Sequence, residues 1–254
     1  MSKRVDQLIA EILSLEVRLF ACQARLEADT DSEALHDLRT TVRRLRSVLR
    51  PLRGLPGIEQ IEEAARAVGQ LTTPLRDREV LAGWLAKQGH EAAAARRQSS
   101  LKRECPAVAR SGELVRLLEV LEQFAGFIRV EQRQGLLRGL RVRIEKRMDK
   151  QWKQLREAMA DPSHDRHRLR LLIKRVRYAA EAYPDLSHRP EGVTARLKAA
   201  QGALGDWHDH VQWLAQAERE ADLAPCIAGW RVGLARAEHE ADRELKRLTR
   251  FCLK

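Results

Sequence analysis

Two segments of this sequence carry the same spacing of cationic side chains. His36, Arg39, Arg43, Arg44 and Arg46 recur 131 positions later, without a gap, as His167, Arg170, Lys174, Arg175 and Arg177. At about 100° per residue on an α-helix, His36, Arg39, Arg43, Arg46 and Arg50 fall within an arc of about 80°. His167, Arg170, Lys174 and Arg177 occupy the same arc of the second copy, and Leu35, Leu38, Val42, Leu45 and Leu49 fill the arc beside the first. Each segment therefore reads as a helix with a basic stripe next to an apolar one. Packing through the apolar stripe would hold a row of cations at fixed spacing, and the chemistry this offers is anion binding. A guanidinium fork takes phosphate oxygens two at a time, whereas lysine acts as a point charge. A histidine at the head of the row donates one hydrogen bond while neutral and two when protonated, and a neighbouring polyanion favours the protonated form. Arg44 and Arg175 project roughly 100° away from the stripe, so helical geometry gives them weaker support.

The C-terminal segment shows the contrasting case of a merely solvated basic face. There Arg236, Arg243, Lys246, Arg247 and Arg250 lie opposite Leu234, Ala241, Leu245 and Leu248. Arg141 sits among Leu137, Ile144, Met148 and Leu155, where it either faces inward and adds to the basic site or snorkels to solvent. Across the whole chain, 47 Lys and Arg stand against 36 acids, a net charge of +11, and 37 of the 47 are Arg. An arginine excess of this kind points to a polyanion: polyphosphate, nucleic acid or an anionic membrane.

Other chemistries find little support. Cys22, Cys105, Cys226 and Cys252 are far apart and form no Cys-x-x-Cys pair, which reads as reduced thiols of a cytoplasmic protein. No apolar N-terminal leader and no stretch of membrane-spanning length occurs. Asp206, His208, Asp209 and His210, with His164, supply nitrogen and oxygen atoms, but consecutive spacing scatters them around a helix and no His-Glu-x-x-His frame exists. We expect no metal site and no cofactor. There is no nucleophile elbow, Gly-rich phosphate loop or carboxylate cluster for holding magnesium, so the sequence does not read as an enzyme.

Sparse Gly and Pro, 4% aromatics and abundant Ala, Leu, Arg and Glu predict an all-α protein. A first amphipathic helix spans 3–27, and Thr30 with Glu33 forms a capping box for the first striped helix, which stops at Pro51 to Pro56. A shorter helix to about Gly69, another from about Pro74 and an Ala-rich one over 90–104, closed by Cys105-Pro106, complete a first half of residues 1–110. Arg110-Ser-Gly-Glu is a polar joint to a second half of residues 111–254. There a long helix or kinked pair covers roughly 113–159, and Asp161-Pro162 starts the second striped helix. A turn from Tyr183-Pro184 to Pro190 precedes a short helix ending near Gly205. Asp206-Trp-His-Asp209 opens the next, and a last helix runs from about Pro225. His36 to Asp77 spans 41 residues and His167 to Asp209 spans 42. Both aspartates stand where a loop passes into a helix, a place for capping orphan amides or for holding a stripe arginine.

The pattern His-x-x-Arg-x-x-x-Arg/Lys-Arg-x-Arg occurs twice, the second time followed by Tyr178 and Glu181. With Pro-Leu-Arg-Asp at 74–77 and Leu-Gly-x-x-His-Asp at 204–209, it resembles the CHAD family (conserved histidine α-helical domain) over essentially the whole chain, 1–254. The resemblance implies tandem helical bundles related by an approximate internal two-fold, with a basic groove or pore between them that binds inorganic polyphosphate. It implies His36, Arg39, Arg43, Arg44 and Arg46, with His167, Arg170, Lys174, Arg175 and Arg177, as binding residues. Arg76 matches the family's Arg, and His208 stands where an Arg would complete the repeat. Arg50, Arg76, Arg141, Tyr178 and His208 are secondary candidates. The Glu-x-Glu-x-Lys motif of the triphosphate-tunnel domains that often accompany this family does not occur. The expectation is a non-catalytic polyphosphate-binding protein of the cytoplasm, associated with polyphosphate granules. The rivals are an RNA- or DNA-binding helical protein and an accessory subunit of a phosphate-metabolising enzyme. The stripes hold almost no aromatics apart from Tyr178, whereas nucleic-acid selectivity rests on base contacts or stacking.

Overall fold

The computed structural model describes residues 3–161, 163 and 165–252; among these, helices of 10 to 30 residues dominate and no strand occurs. The chain divides into two compact units, Met1–Ile144 and Glu145–Lys254. The first holds α1 (Lys3–Glu27), α2 (Ala34–Leu49), α3 (Ile58–Lys87), α4 (Glu91–Ala109), α5 (Gly112–Glu122), α6 (Phe124–Arg133) and the first turn of α7 (Leu140–Ala160). The second holds the rest of α7 with α8 (Arg166–Ala182), α9 (Val193–Ala217) and α10 (Ile227–Cys252). The division falls inside α7 and not at the polar joint after Ala109, because α5 packs on α1 and α3, and α6 on α1.

The striped helices form as their periodicity dictates. In the first unit, Leu38, Leu45 and Leu49 of α2 are completely buried, packed between Ile12, Leu15 and Leu19 of α1 and Ile58 and Val68 of α3. Each such side chain contributes about 1.5–3 kcal/mol. A 3-10 turn at Arg50–Leu52, set by Pro51, ends α2. The capping box does not form. The Glu33 amide bonds Asp31 Oδ1 at 2.9 Å, and the Thr30 hydroxyl turns back to the Arg25 carbonyl. Arg25 bridges Asp31 and Asp37, each at 2.7 Å, and holds the Asp31 carboxyl well below the usual carboxylate range. In the second unit, Leu169, Ile173 and Val176 of α8 pack with Leu197, Ala200 and Leu204 of α9 and Leu245 and Leu248 of α10. Asp165 caps α8, accepting from the His167 and Arg168 amides at 2.9 and 3.2 Å. The cap is therefore not the expected Asp161-Pro162; Pro162 and His164 lie outside the described residues.

Three helices continue where breaks are expected. α3 passes through Pro74 over 30 residues, α4 through Pro106 to Ala109, and α9 through Gly205 over 25 residues. A proline inside a helix removes one amide donor and crowds the preceding turn. In α3 the Thr72 and Thr73 hydroxyls donate back to the Val68 and Gly69 carbonyls at 2.8 and 2.7 Å and seal that turn. Asp77 and Asp209 are thus interior helix residues and cap nothing. The region expected as one long or kinked helix is instead α5, α6 and α7, the last pair separated at Gly135 and Gly139, whose φ of 79° and 70° no helix accommodates. The basic face of α10 is exposed as expected, and Arg243 and Arg247 each pair with a glutamate one turn earlier, Glu240 and Glu244. All four cysteines are free thiols. Among the described residues no helix is long and apolar enough to cross a membrane.

Candidate anion-binding site

In the first unit the basic stripe of α2 lies along α3. Arg39 Nη1 donates to the Gly69 carbonyl at 3.2 Å, Thr72 Oγ1 at 2.9 Å and Thr73 Oγ1 at 3.2 Å. Burial pushes its guanidinium below the ordinary arginine value; Asp77 opposes that shift, and Arg76 and Arg43 add to it. Arg76, on α3, is bridged by Glu79 at 2.5 Å. About two turns further along α2 than Arg39, Arg46 Nη1 reaches α3 at Gly69, 3.6 Å from where a Cβ there would stand. Arg43 is exposed between them, its Nη2 3.4 Å from Thr40 Oγ1, and His36 Nε2 lies 3.5 Å from the same hydroxyl. The half-buried Arg50 follows at the end of the helix.

In the second unit α8 packs along α9. Arg177 Nε donates to Gln201 Oε1 at 2.8 Å, and Gln201 stands 132 positions after Gly69, as Arg177 stands 131 after Arg46. Gln201 also bonds the Tyr178 hydroxyl at 3.3 Å, and the Arg177 guanidinium lies 4.5 Å over the Tyr178 ring. Glu181 bridges Arg177 at 2.6 Å. At the other end, His208 of α9 meets His167 of α8 with ring centroids 5.8 Å apart. Burial first, then Arg170, His167 and Lys174, push the His208 imidazole down to about 4. His208 is therefore part of the striped site although its match to the family pattern is imperfect.

Other expected residues fall elsewhere. Arg44 turns away from α3 to pair with Glu11 of α1 at 2.8 Å. Arg175 is exposed on the other flank of α8, where it lines a shallow depression with His167, Arg168, Asp165 and Glu157. Arg141 is exposed, so it does not turn inward. Periodicity did not reveal the acceptors Gly69, Thr72, Thr73 and Gln201. Of these only Gly69 and Gln201 keep the offset of the stripes; the positions 132 after Thr72 and Thr73 are Leu204 and Gly205, which offer no side-chain acceptor. Among the described residues no group of three or more His, Cys, Asp and Glu is placed to hold a metal ion. The arrangement can bind and orient anionic oxygens along two helices.

The family model of the CHAD domain matches residues 13–218, and the chain belongs to the CHAD domain family. Its fold is similar to that of the crystal structure of the CHAD domain from the plant Ricinus communis, with a TM-score of 0.71 and 20% sequence identity over 98% of this chain and 91% of that one. PptA from Streptomyces chartreusis is also similar, with a TM-score of 0.54 and 19% identity over 98% of each chain. At these identities the likeness is one of fold. No curated protein matches the chain.

Proposed function

We propose that this protein binds inorganic polyphosphate without transforming it, through the basic stripes of α2 and α8 with the facing residues of α3 and α9. One observation carries the reading: packing of α2 on α3 holds Arg39 and Arg46 in a row, with Arg43 exposed between them. A site so rich in cations is relieved by an anion. The recurrence of the stripe spacing in the sequence supports a ligand that itself repeats, and the family resemblance supplies the identity of that ligand. A place on polyphosphate granules belongs to the same proposal.

The test is competition between long-chain polyphosphate, single-stranded RNA and duplex DNA at equal phosphate concentration and physiological salt, read by fluorescence anisotropy. Polyphosphate is expected to displace both nucleic acids. Tighter binding of RNA or DNA would move the assignment to a nucleic-acid-binding protein. Incubation with polyphosphate and magnesium is expected to release no orthophosphate; release that survives repurification and is lost in a stripe variant would make the protein an enzyme.

A further inference from the structure

The two helix pairs differ in charge at two positions of the site, Arg50 against Glu181 and Arg76 against His208. Where α3 presents Arg76, permanently charged, α9 presents His208. The His208 ring faces His167 across 5.8 Å on one side and stacks obliquely with Trp207, 6.3 Å away, on its own helix. The charged groups acting on it are Arg170, His167 and Lys174, all from α8. The next histidine of α9 turns elsewhere: His210 Nδ1 bonds the Asp206 carbonyl at 2.8 Å, and its Nε2 edge rests on Gly233 of α10, 2.3 Å from where a Cβ would stand. Burial raises the Asp206 carboxyl, and His210 opposes that shift.

We propose that His208, set against His167 beside the stripe of α8, makes anion binding by the α8–α9 pair dependent on pH: it takes up a proton as polyphosphate binds and joins Arg170 and Lys174 as a third cation. This rests on the polyphosphate reading above. In the empty site, burial and the cations of α8 disfavour a further positive charge. Phosphates lying over Arg170 and Lys174 reverse the sign of that local field, and an imidazolium then offers a hydrogen-bond donor at each ring nitrogen. The bound protein carries more protons than the free one, so affinity rises as pH falls. The window runs from the value His208 takes in the complex down to its value of about 4 in the empty protein. Above that window the effect is absent. One coupled proton gives at most about a tenfold change per pH unit. Arg76 gives the α2–α3 pair no such step.

The experiment measures Kd for long-chain polyphosphate from pH 5.5 to 8 at constant salt, for the parent, His208→Arg and His208→Gln. Calorimetry in two buffers of different ionisation enthalpy counts the protons taken up. Circular dichroism confirms that each variant is helical. The parent is expected to bind about three- to tenfold more tightly at pH 5.5 than at 7.5, with net proton uptake. His208→Arg should bind tightly throughout, and His208→Gln weakly throughout. The decision lies in the difference between the three proteins. The proposal is overturned if both variants keep the parent's pH slope and proton count. Failure of the parent to bind at any pH overturns the polyphosphate reading instead.

Discussion

The α2–α3 and α8–α9 pairs use one backbone plan with different charge. Arg39, Arg43, Arg46, Arg50 and Arg76 give the first pair five permanent cations, with Asp77 and Glu79 among them. Arg170, Lys174 and Arg177 give the second pair three, with Glu181 and Asp209 nearby in the sequence pattern. The divergence sits at two positions. Glu181 stands where the first copy has Arg50 and bridges Arg177, and His208 stands where the first has Arg76. A repeat can thus keep its packing, which depends on the apolar stripe, while its cation count drifts. In the proposed function the first pair is the constitutive anion site and the second is the weaker, adjustable one.

The largest expected effect follows from that asymmetry. Arg43→Glu with Arg46→Glu should weaken polyphosphate binding at least about 100-fold, since each charge-assisted hydrogen bond is worth about 1.5–3 kcal/mol and 1.4 kcal/mol is tenfold. Arg170→Glu with Lys174→Glu should cost about tenfold at neutral pH. Arg231→Glu with Arg236→Glu, on the exposed face of α10, should change Kd less than about threefold, because screened surface charges act weakly. Equal losses from all three pairs would mean that net charge alone matters.

A smaller effect runs the other way. Replacing Glu181 and His208 together by Arg gives the second pair the charges of the first. Binding at pH 7.5 should tighten several-fold, and the slope of log affinity against log salt should steepen by about one to two units, as added phosphate contacts release more counterions. An unchanged salt slope would remove Arg177 and position 208 from the ligand's path.

The smallest is thermal. Polyphosphate at about 100 times its Kd should stabilise the folded chain by about 2.7 kcal/mol, a shift of about 5–10 °C in melting temperature at this size. The Arg43 and Arg46 variant, at the same ligand concentration, should lose most of that shift, and the Arg170 and Lys174 variant less. Saturated binding with an unmoved melting point in the parent would contradict a ligand that prefers the folded state.

Much of this was legible in the sequence, and the exceptions share a cause. The apolar spacing in α1, α2, α8 and α10 gave their existence and buried faces, because packing of an amphipathic stripe decides such helices. Breaks were placed at Pro74, Cys105-Pro106 and Gly205 on local propensity, which tertiary support overrode. The Thr72 and Thr73 hydroxyls are a case in point. Asp77 and Asp209 were read as caps only because those breaks were assumed. The stripe itself was correct as a row of side chains, but Arg44 belongs to α1 through Glu11. No periodicity shows which neighbouring helix a flank residue meets.

The turn of α3 around Pro74 gives Arg39 a second occupation. Its guanidinium ties three oxygens of that turn, Gly69 O, Thr72 Oγ1 and Thr73 Oγ1, just where a proline has removed an amide. A phosphate that draws Arg39 away from them would loosen the middle of a helix while ordering the stripe beside it. Amide hydrogen exchange would register this as faster exchange around residues 70–77 on ligand binding, against slower exchange along α2. Uniform slowing across both helices would mean that Arg39 keeps its ties when the ligand is bound. In the first case the same side chain fastens the fold and receives the anion, so occupancy of the site is recorded in the local breathing of α3.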